Sequence, residues 1–303
     1  MVANHKKLHR KLLGYIRFQD ITKAVRFVAG GELGKLKKQL KRRFTALGSF
    51  LPLFSKRYVS QEFNKCLLVS ISDDRGSCGA HNNMIYTATT RLVDFLEEEN
   101  KGFRIYSIGF KGMNYIKRFH RKYLIGYSFN MYDIRPSIDM CIFFIYKFLK
   151  YRVNRYYFLF NRYYTLQIQR PAVYRLCNYE TFYNSIYKHN VGRYGIYYNA
   201  IIDQFKHPKF SYDLYTFGLS IFFVDALNEN KFSFYGGRFT AMDNAVNNSQ
   251  EIIDRLRILY NKARQEYITT ELVEIVACAE SITFSEEPVR DDTQYKFVPH
   301  IWY

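Results

Sequence analysis

Apolar positions near the C-terminal end of this chain alternate at spacings of three and four residues, the pattern of a helix that pairs with another helix. The stretch from Gly237 to Ile282 carries this pattern without proline or internal glycine. At about 1.5 Å per residue a helix of that length would run roughly 65 to 70 Å, so much of it must project from any core. The seam consists of Phe239, Met242, Val246, Ser249, Ile253, Leu256, Tyr260, Ala263 and Tyr267.

Beyond Tyr267 the apolar stripe moves by one position, as it does where a stutter interrupts a heptad repeat. The second stripe consists of Ile268, Leu272, Ile275, Ala279 and Ile282. A helix cannot bury such a seam alone, and a matching pattern lies at the other end of the chain, where residues 8–47 are predicted to be helical. Its stripes are Leu8, Leu12, Tyr15 and Ile16, then Ile21, Val25, Val28, Leu33, Leu36 and Leu40. We expect the two ends to pair as an antiparallel coiled coil. A polar cluster on the long helix could cap or hydrogen-bond across this coil; it consists of Asp243, Asn244, Asn247 and Asn248.

The middle of the chain alternates between short apolar runs and amphipathic segments, which indicates a parallel sheet flanked by helices. The predicted strands are residues 66–71, 103–110, 138–148 and 152–170, and the predicted helices are residues 84–99, 112–122 and 211–227. We expect a turn at residues 228–237, before the long helix.

Three segments in order resemble the gamma subunit of the F-type ATP synthase of mitochondria. They are ITKAVRFVA at residues 21–29, SDDRGSCGAHNN at residues 72–83, and RFTAMDNAVNN followed by YNKARQEYITTELVEIV. The resemblance covers both terminal helices and the first strand, turn and helix of the middle. It implies an α/β fold in which a long antiparallel coiled coil carries an inserted Rossmann-like domain. The expected division is an N-terminal shaft helix (1–58), the Rossmann-like domain (59–209), a C-terminal shaft helix (210–283) and a tail (284–303).

The resemblance also implies which residues act. Arg264, Gln265 and Thr269 match a motif whose Arg, Gln and Thr hydrogen-bond a loop of a catalytic beta subunit in gamma subunits, and Lys23 is a weaker candidate for the same contact. Arginine suits such a contact because its fork of donors matches carboxylates. Without the resemblance, these side chains would be interpreted as an ordinary solvated face.

The function implied is that of a central-stalk rotor, which couples rotation of the membrane c-ring to ATP synthesis in the beta subunits and has no catalytic residue, metal or cofactor of its own. The implied partners are the alpha and beta subunits, the c-ring and the small delta and epsilon subunits of the stalk. The implied location is the matrix side of the mitochondrial inner membrane, as a peripheral subunit. The basic N-terminus resembles a mitochondrial presequence, so either a presequence has been removed or the first helix carries the address.

The charge and loop sequences leave two other functions open. A net charge of +18 implies an acidic partner, which is a nucleic acid, an anionic membrane surface or an acidic protein surface. The interleaved arginines and aromatics of residues 146–164 would suit single-stranded RNA. The turn SDDRGSCG between a strand and a helix could hold a phosphate of a nucleotide, although it matches neither established glycine-rich motif. We place both alternatives below the rotor, which predicts no contact with nucleic acid.

Other features distinguish this chain from the family pattern or limit its chemistry. The five cysteines show no disulfide or metal spacing, and no segment reaches the roughly 20 apolar residues that span a bilayer. Gly30 and Gly31 stand where alanines are usual, which predicts either a close helix crossing or a break. His81 stands where glycine is usual, and the tail Phe284–Tyr303 extends past the usual helix end.

Overall fold

The structure, a computed structural model, describes residues 2–50, 54, 63–131, 136–189 and 207–286, and the side chains within 5–38, 54, 63–131, 136–184 and 207–282. The chain divides into two compact units. One contains residues 23–244, and the other contains residues 1–22 with residues 245–303. We call them the α/β unit and the helical unit. The N-terminal helix α1 (Val2–Phe50) and the C-terminal helix α6 (Pro208–Glu286) each contribute to both.

A five-stranded sheet forms the centre of the α/β unit. Its strands are β1 (Lys65–Ile71), β2 (Gly102–Ile108), β3 (Leu124–Ser128), β4 (Arg155–Tyr163) and β5 (Gln169–Cys177). The order across the sheet is β3-β2-β1-β4-β5. β1 pairs in parallel with both β2 and β4, and β2 pairs in parallel with β3, whereas β5 runs antiparallel to β4. The predicted parallel sheet is therefore confirmed, with an antiparallel strand added at one edge.

Helices cover both faces of this sheet, as buried parallel strands require. α2 (His81–Glu98) and α3 (Phe110–Phe119) lie on one face, where Ile85 and Ile116 pack with Leu68 and Leu159. α4 (Ile138–Leu149), α5 (Tyr179–His189) and the first part of α6 lie on the other face. There the strand residues that alternate with the first set meet the helices in a second apolar cluster. That cluster includes Leu67, Val69, Phe158, Phe160, Phe148, Phe182, Tyr215 and Phe223.

The prediction of a strand at residues 138–148 was wrong, because this segment is helix α4. The Ser137 hydroxyl oxygen accepts the backbone N–H of Met140 at 3.2 Å and so caps the helix N-terminus. Cys141, Phe144, Ile145 and Phe148 form the buried face at helical spacing. The prediction failed because Phe143 and Tyr146, on the exposed face, are apolar as well, so the periodicity was hidden.

The prediction of a turn at residues 228–237 was also wrong, because α6 is continuous through it. Asn230 points at the sheet, where its side-chain oxygen accepts the backbone N–H of Asn161 at 3.1 Å. Gly236 and Gly237 serve close packing. A Cβ on Gly236 would lie 2.8 Å from the Tyr163 ring, and one on Gly237 would lie 2.8 Å from the Cys78 carbonyl oxygen. Turn-forming residue types here allow a helix to pass tightly beneath a loop and a hairpin.

The crossing of α1 and α6 within the α/β unit resolves the question of the glycines in α1. The helix is unbroken there. A Cβ on Gly30 would approach the Phe239 ring to 3.3 Å, whereas one on Gly31 or Gly34 would meet open space. A close crossing therefore accounts for Gly30 alone.

The boundaries of the observed elements do not decide the predicted division at residues 58, 209 and 283, which stays a prediction. Residues 55–62 and 287–303 lie outside the described residues, so the expectation about the tail cannot be compared with the structure. All five cysteines carry free thiols, and four of them are buried. Over the described residues, no helix is long and apolar enough to cross a membrane.

Candidate functional site

Two stretches of α1 and α6 form an antiparallel pair in the helical unit. His5 near the start of α1 stacks on Tyr260 at 4.8 Å between ring centroids, while Gln19 further along donates to Gln250 at 2.8 Å. On α6, Val246, Ser249 and Ile253 are buried, and the next positions of the repeat are half-buried. Those positions are Leu256, Tyr260, Ala263 and Tyr267. Met242, in the α/β unit, is half-buried as well. These are the positions at which the sequence placed the first seam.

The facing seam on α1 differs from the one predicted. Ile21 and Val28 are 64% and 62% exposed, whereas Thr22 and Ala29 are buried. At these two places the buried position is one residue later than predicted, and a polar or small side chain occupies it. The Thr22 hydroxyl donates to the Phe18 carbonyl oxygen at 2.7 Å, so its burial leaves no donor without a partner.

Gln19 is a seam residue that the sequence analysis missed. It is buried, and its amide donates to the Gln250 side chain and, at 3.5 Å, to the Val246 carbonyl oxygen. A buried amide in a coiled-coil seam specifies register, because any other alignment leaves it without a partner. The available signal was spacing, since Gln19 follows Leu12 and Ile16 at the intervals of the repeat.

A second polar contact joins α1 and α6 inside the α/β unit. Arg26 donates to the Asp243 carboxylate at 2.5 Å, with about two-fifths of each side chain exposed. The expectation that Asp243 bonds across the coil is confirmed. The pair adds orientation more than stability, since ion pairs this exposed contribute at most about 1 kcal/mol.

The stripe changes character on α6 beyond Tyr267. His5 also stacks on Tyr267, at 5.8 Å, and α1 begins only three residues before His5. Past this level Ile268, Leu272 and Ile275 are 42%, 57% and 64% exposed. Ile282, the last residue of the second predicted stripe, is exposed too, as is Val276, so this stripe lies on the surface of the described structure.

The four residues singled out for a partner contact are all exposed. Gln265 and Thr269 share a face of α6 one turn apart, and the Thr269 hydroxyl donates to the Gln265 carbonyl oxygen at 2.9 Å. Arg264 lies on the same side as Ile268 and Ile275, as helical spacing dictates. Lys23 lies on α1 in the α/β unit. The structure thus groups Arg264, Gln265 and Thr269 beside the exposed apolar stripe, and their role stays a prediction.

The loop that follows β1 uses its polar groups for contacts within the protein. Asp74 accepts the backbone N–H of Phe110, at the N-terminus of α3, at 2.7 Å, and its second oxygen accepts the backbone N–H of Asn130 at 2.9 Å. Within the turn itself, the Arg75 N–H donates to the Asp73 carboxylate at 2.9 Å and the His81 N–H donates to the Cys78 carbonyl oxygen at 3.3 Å, so these donors are already paired. This geometry does not support a phosphate cradle, so the nucleotide-binding alternative loses its motif.

Asp73, the neighbour of Asp74, is buried in the same loop. One of its oxygens accepts the backbone N–H of Arg75 at 2.9 Å, and its own N–H donates to the Asn82 side-chain oxygen at 3.1 Å. Burial raises the pKa of this carboxyl to about 6, because desolvation outweighs the hydrogen bond from Arg75.

His81, the unusual residue of this loop, begins α2 and is completely buried. The Asn161 amide donates to the His81 carbonyl oxygen at 2.8 Å and lies 3.2 Å from the His81 Nδ1. The Phe234 ring of α6 packs edge-on at 5.7 Å. Burial lowers the pKa of His81 to about 3, so the ring is neutral. His81 therefore ties the loop to the sheet and the long helix, a role that the sequence did not indicate.

The stretch of arginines and aromatics that suggested RNA binding forms mainly strand β4 and its flanks. Tyr156, Tyr157, Phe158 and Phe160 are buried between the helical layers. Rings that are buried in a core cannot stack on bases. Among the described residues, no group of three His, Cys, Asp or Glu side chains is placed to hold a metal ion.

One known protein family matches this chain over most of its length. The family model described as ATP synthase matches residues 4–282. The ATP synthase gamma chain of Rickettsia bellii is 26% identical to this chain, over 93% of this chain and 100% of that protein.

Solved structures show the same fold at lower identity. A chain of the Euglena gracilis mitochondrial ATP synthase rotor has a TM-score of 0.75 at 21% identity, over 88% of this chain and all of that one. A chain of the Euglena gracilis OSCP/F1/c-ring assembly has a TM-score of 0.77 at 22% identity, over 96% and 99%. The fold class expected from the sequence is therefore confirmed, and the chain belongs to the ATP synthase family as a gamma chain of the F-type enzyme.

Proposed function

We propose that this gamma chain is the central-stalk rotor subunit of a proton-translocating F-type ATP synthase. The observation that carries the proposal is the exposed apolar stripe of α6 that follows Tyr267, with Ile268, Leu272 and Ile275 at helical spacing. An exposed stripe of this length, next to a seam that is buried, calls for an external partner. In the proposed assembly, a ring of alternating alpha and beta subunits surrounds it.

The proposed mechanism rests on asymmetry. A shaft inside a three-fold ring contacts each beta subunit differently at any one angle, and a partner shifts a conformational equilibrium only through such differential contacts. Rotation driven by the c-ring then takes every catalytic site through the same states in turn. The gamma chain is the non-catalytic subunit in this scheme, and the catalytic residues belong to the beta subunits.

Arg264, Gln265 and Thr269 are proposed to hydrogen-bond a loop of one beta subunit, with Lys23 as a weaker contributor. Their exposure beside the apolar stripe supports this, because polar donors at the rim of an apolar contact fix its orientation. The net charge of +18 is proposed to hold the subunit by long-range attraction to acidic surfaces without a rigid lock.

The proposed location is the matrix side of the mitochondrial inner membrane, as a peripheral subunit that also contacts the c-ring and the small delta and epsilon subunits. The Euglena assemblies that share this fold are mitochondrial, whereas the Rickettsia relative is bacterial. Fractionation of the cells that make this chain, with protease treatment of intact and opened mitochondria, tests the location. Protection only while the inner membrane is intact is the expected result.

Native mass spectrometry of the tagged chain, purified gently from membranes, tests the function. We expect one copy of this chain with three copies each of two larger nucleotide-binding subunits. An RNA adduct, or no partner in fixed stoichiometry, would overturn the rotor proposal. The follow-up compares Arg264→Lys with Arg255→Lys, another exposed arginine on α6. Only Arg264→Lys should lower ATP synthesis while leaving assembly intact, because a lysine cannot reproduce the fork of donors.

A further inference from the structure

One face of the sheet is covered incompletely. α2 packs against β1 and β4, where Ile85, Val93 and Leu96 share a cluster with Leu68 and Leu159. No residue of β5 belongs to that cluster. The β5 side chains on this face, Pro171, Val173 and Arg175, are exposed, whereas those on the opposite face pack against the cluster that includes α6. α2 approaches β5 as well, but the helices on this face leave these β5 side chains uncovered.

The uncovered area forms a groove of about 760 Å³ between α2 and the β4–β5 hairpin. Its walls are largely apolar, and Phe95 is 50% exposed within it. The apolar side chains that line it are Phe63, Met84, Ala88, Leu92, Phe95, Tyr157, Pro171 and Val173. A surface of this kind on a monomeric chain marks an interaction site.

The charged side chains that line the groove are all positive. Arg91 comes from α2, Arg155 from β4 and Arg175 from β5, and no carboxylate is among the described residues that line it. Glu97 of α2 lies away from the groove, since its carboxylate accepts the Tyr123 hydroxyl and pairs with Lys122 at 3.1 Å. Arg155 lies 4.1 Å from the centre of the Phe63 ring, which keeps its charge at the groove wall. The groove therefore combines an apolar floor with a positive rim.

We propose that this groove binds an amphipathic acidic helix of another protein, which completes the helical layer beside α2. A helix fits because the open strip lies where the next helix of a layered α/β fold would pack, about 8 to 10 Å from its neighbour. Apolar side chains on one stripe of that helix fill the floor, and flanking Asp or Glu side chains pair with the arginines. A nucleic acid offers no apolar ridge for this floor. The inference goes beyond the rotor proposal, since no groove residue lies on α1 or α6.

A pair of designed peptides tests the chemistry of the groove on the full-length chain. Both peptides have leucines at the spacing of one helix face, and they carry either glutamates or lysines on the flanks. We expect the glutamate peptide to bind about tenfold more tightly than the lysine peptide, with a preference that shrinks between about 50 and 300 mM salt. Equal binding of the two peptides, measured by fluorescence anisotropy, would overturn the proposal.

Charge-reversed variants locate the binding. The double variant Arg91→Glu and Arg175→Glu should abolish the preference for the glutamate peptide and bind the lysine peptide instead. The matched control, Lys111→Glu and Arg118→Glu, changes the net charge equally at exposed positions on α3, outside the groove, and should bind as the parent does. Circular dichroism verifies that both variants are folded. An unchanged peptide preference in the groove variant would place the binding elsewhere.

A photo-crosslinking residue at Thr87, an exposed position that lines the groove, identifies the natural occupant in the purified assembly. The expected product is a peptide of another polypeptide whose sequence has an apolar helical stripe flanked by Asp or Glu. Crosslinks within this chain, to lipid, to RNA or to a basic segment would each overturn the proposal. Since the subunit stoichiometry is measured separately, failure here leaves the rotor proposal intact.

Discussion

The α/β unit and the helical unit bury their side chains to different extents. In the α/β unit even polar groups such as His81 and Asn161 are enclosed and bonded to one another. In the helical unit the seam is buried around Ile253, but the same kind of stripe is bare at Ile275, 22 residues further along one helix. An apolar repeat therefore indicates that a helix needs a partner, but it does not indicate whether that partner belongs to the same chain.

Replacing each of those two isoleucines with aspartate should separate these roles and give the largest effects. Ile253 is 2% exposed, so Ile253→Asp places a carboxylate in the seam and should lower the free energy of unfolding by about 4 kcal/mol. Ile275 is 64% exposed, so Ile275→Asp should change that free energy by less than about 0.5 kcal/mol. Urea unfolding of the full chain, followed by circular dichroism, measures both.

Assembly with the other subunits, unlike folding, should depend on the exposed residue Ile275. Ile275→Asp is expected to keep the isolated chain folded but to reduce the fraction recovered with the alpha and beta subunits. Glu271→Asp, an exposed change on the same helix, is the control for handling losses. Equal destabilisation by the two aspartates would mean that the stripe beyond Tyr267 is buried within the chain itself, which would contradict the comparison.

The contrast also explains how far the sequence could be used. Regular spacing predicted the seam on α6, and the order of strand, turn and helix in the middle predicted the sheet. Spacing did not predict helix α4, because apolar residues lie on all sides of that helix. Residue type misled the prediction at Gly236 and Gly237, because glycines serve close packing as well as turns. The sequence pattern also missed Gln19 and His81. Whether a buried polar side chain finds a partner depends on distant residues, such as Gln250 or Asn161, that local pattern does not pair.

The buried His81 makes the stability of the α/β unit sensitive to acid. Its folded pKa of about 3 lies below the usual value of 6.5, so the unfolded chain binds the proton more readily between these values. The His81 contribution to stability is therefore present above about pH 6.5 and falls by several kcal/mol as the pH drops toward 3. His81→Gln removes this titration. Its stability should depend less on pH between 6 and 4 than that of the parent, and identical slopes in urea titrations would contradict the assignment.

Asp73 should change stability with pH in the opposite direction from His81, and by a smaller amount. Its folded pKa of about 6 exceeds the usual 3.8, so the folded chain binds the proton more tightly and stability falls as the pH rises from about 4 to about 6. Asp73→Asn keeps an oxygen that can accept the Arg75 N–H. We expect this variant to be more stable than the parent by about 3 kcal/mol above pH 6 and equal to it near pH 4. A stabilisation that does not vary with pH would point to packing instead of charge.

The register of the helical unit should be the most subtle to disturb. Gln19→Leu exchanges a buried amide for an apolar side chain in a seam that is otherwise largely apolar, so the free energy of unfolding should change by less than about 1 kcal/mol. The hydrogen bond itself is measured by a double-mutant cycle with Gln250→Ala, for which we expect a coupling of about 1 kcal/mol. A cycle that pairs Gln19→Leu with Gln265→Ala is the control, because the Gln265 side chain is exposed and lies 15 residues beyond Gln250 on α6. A coupling near zero would show that the hydrogen bond between Gln19 and Gln250 does not set the register of the helical unit, in contrast to the bonded polar groups of the α/β unit.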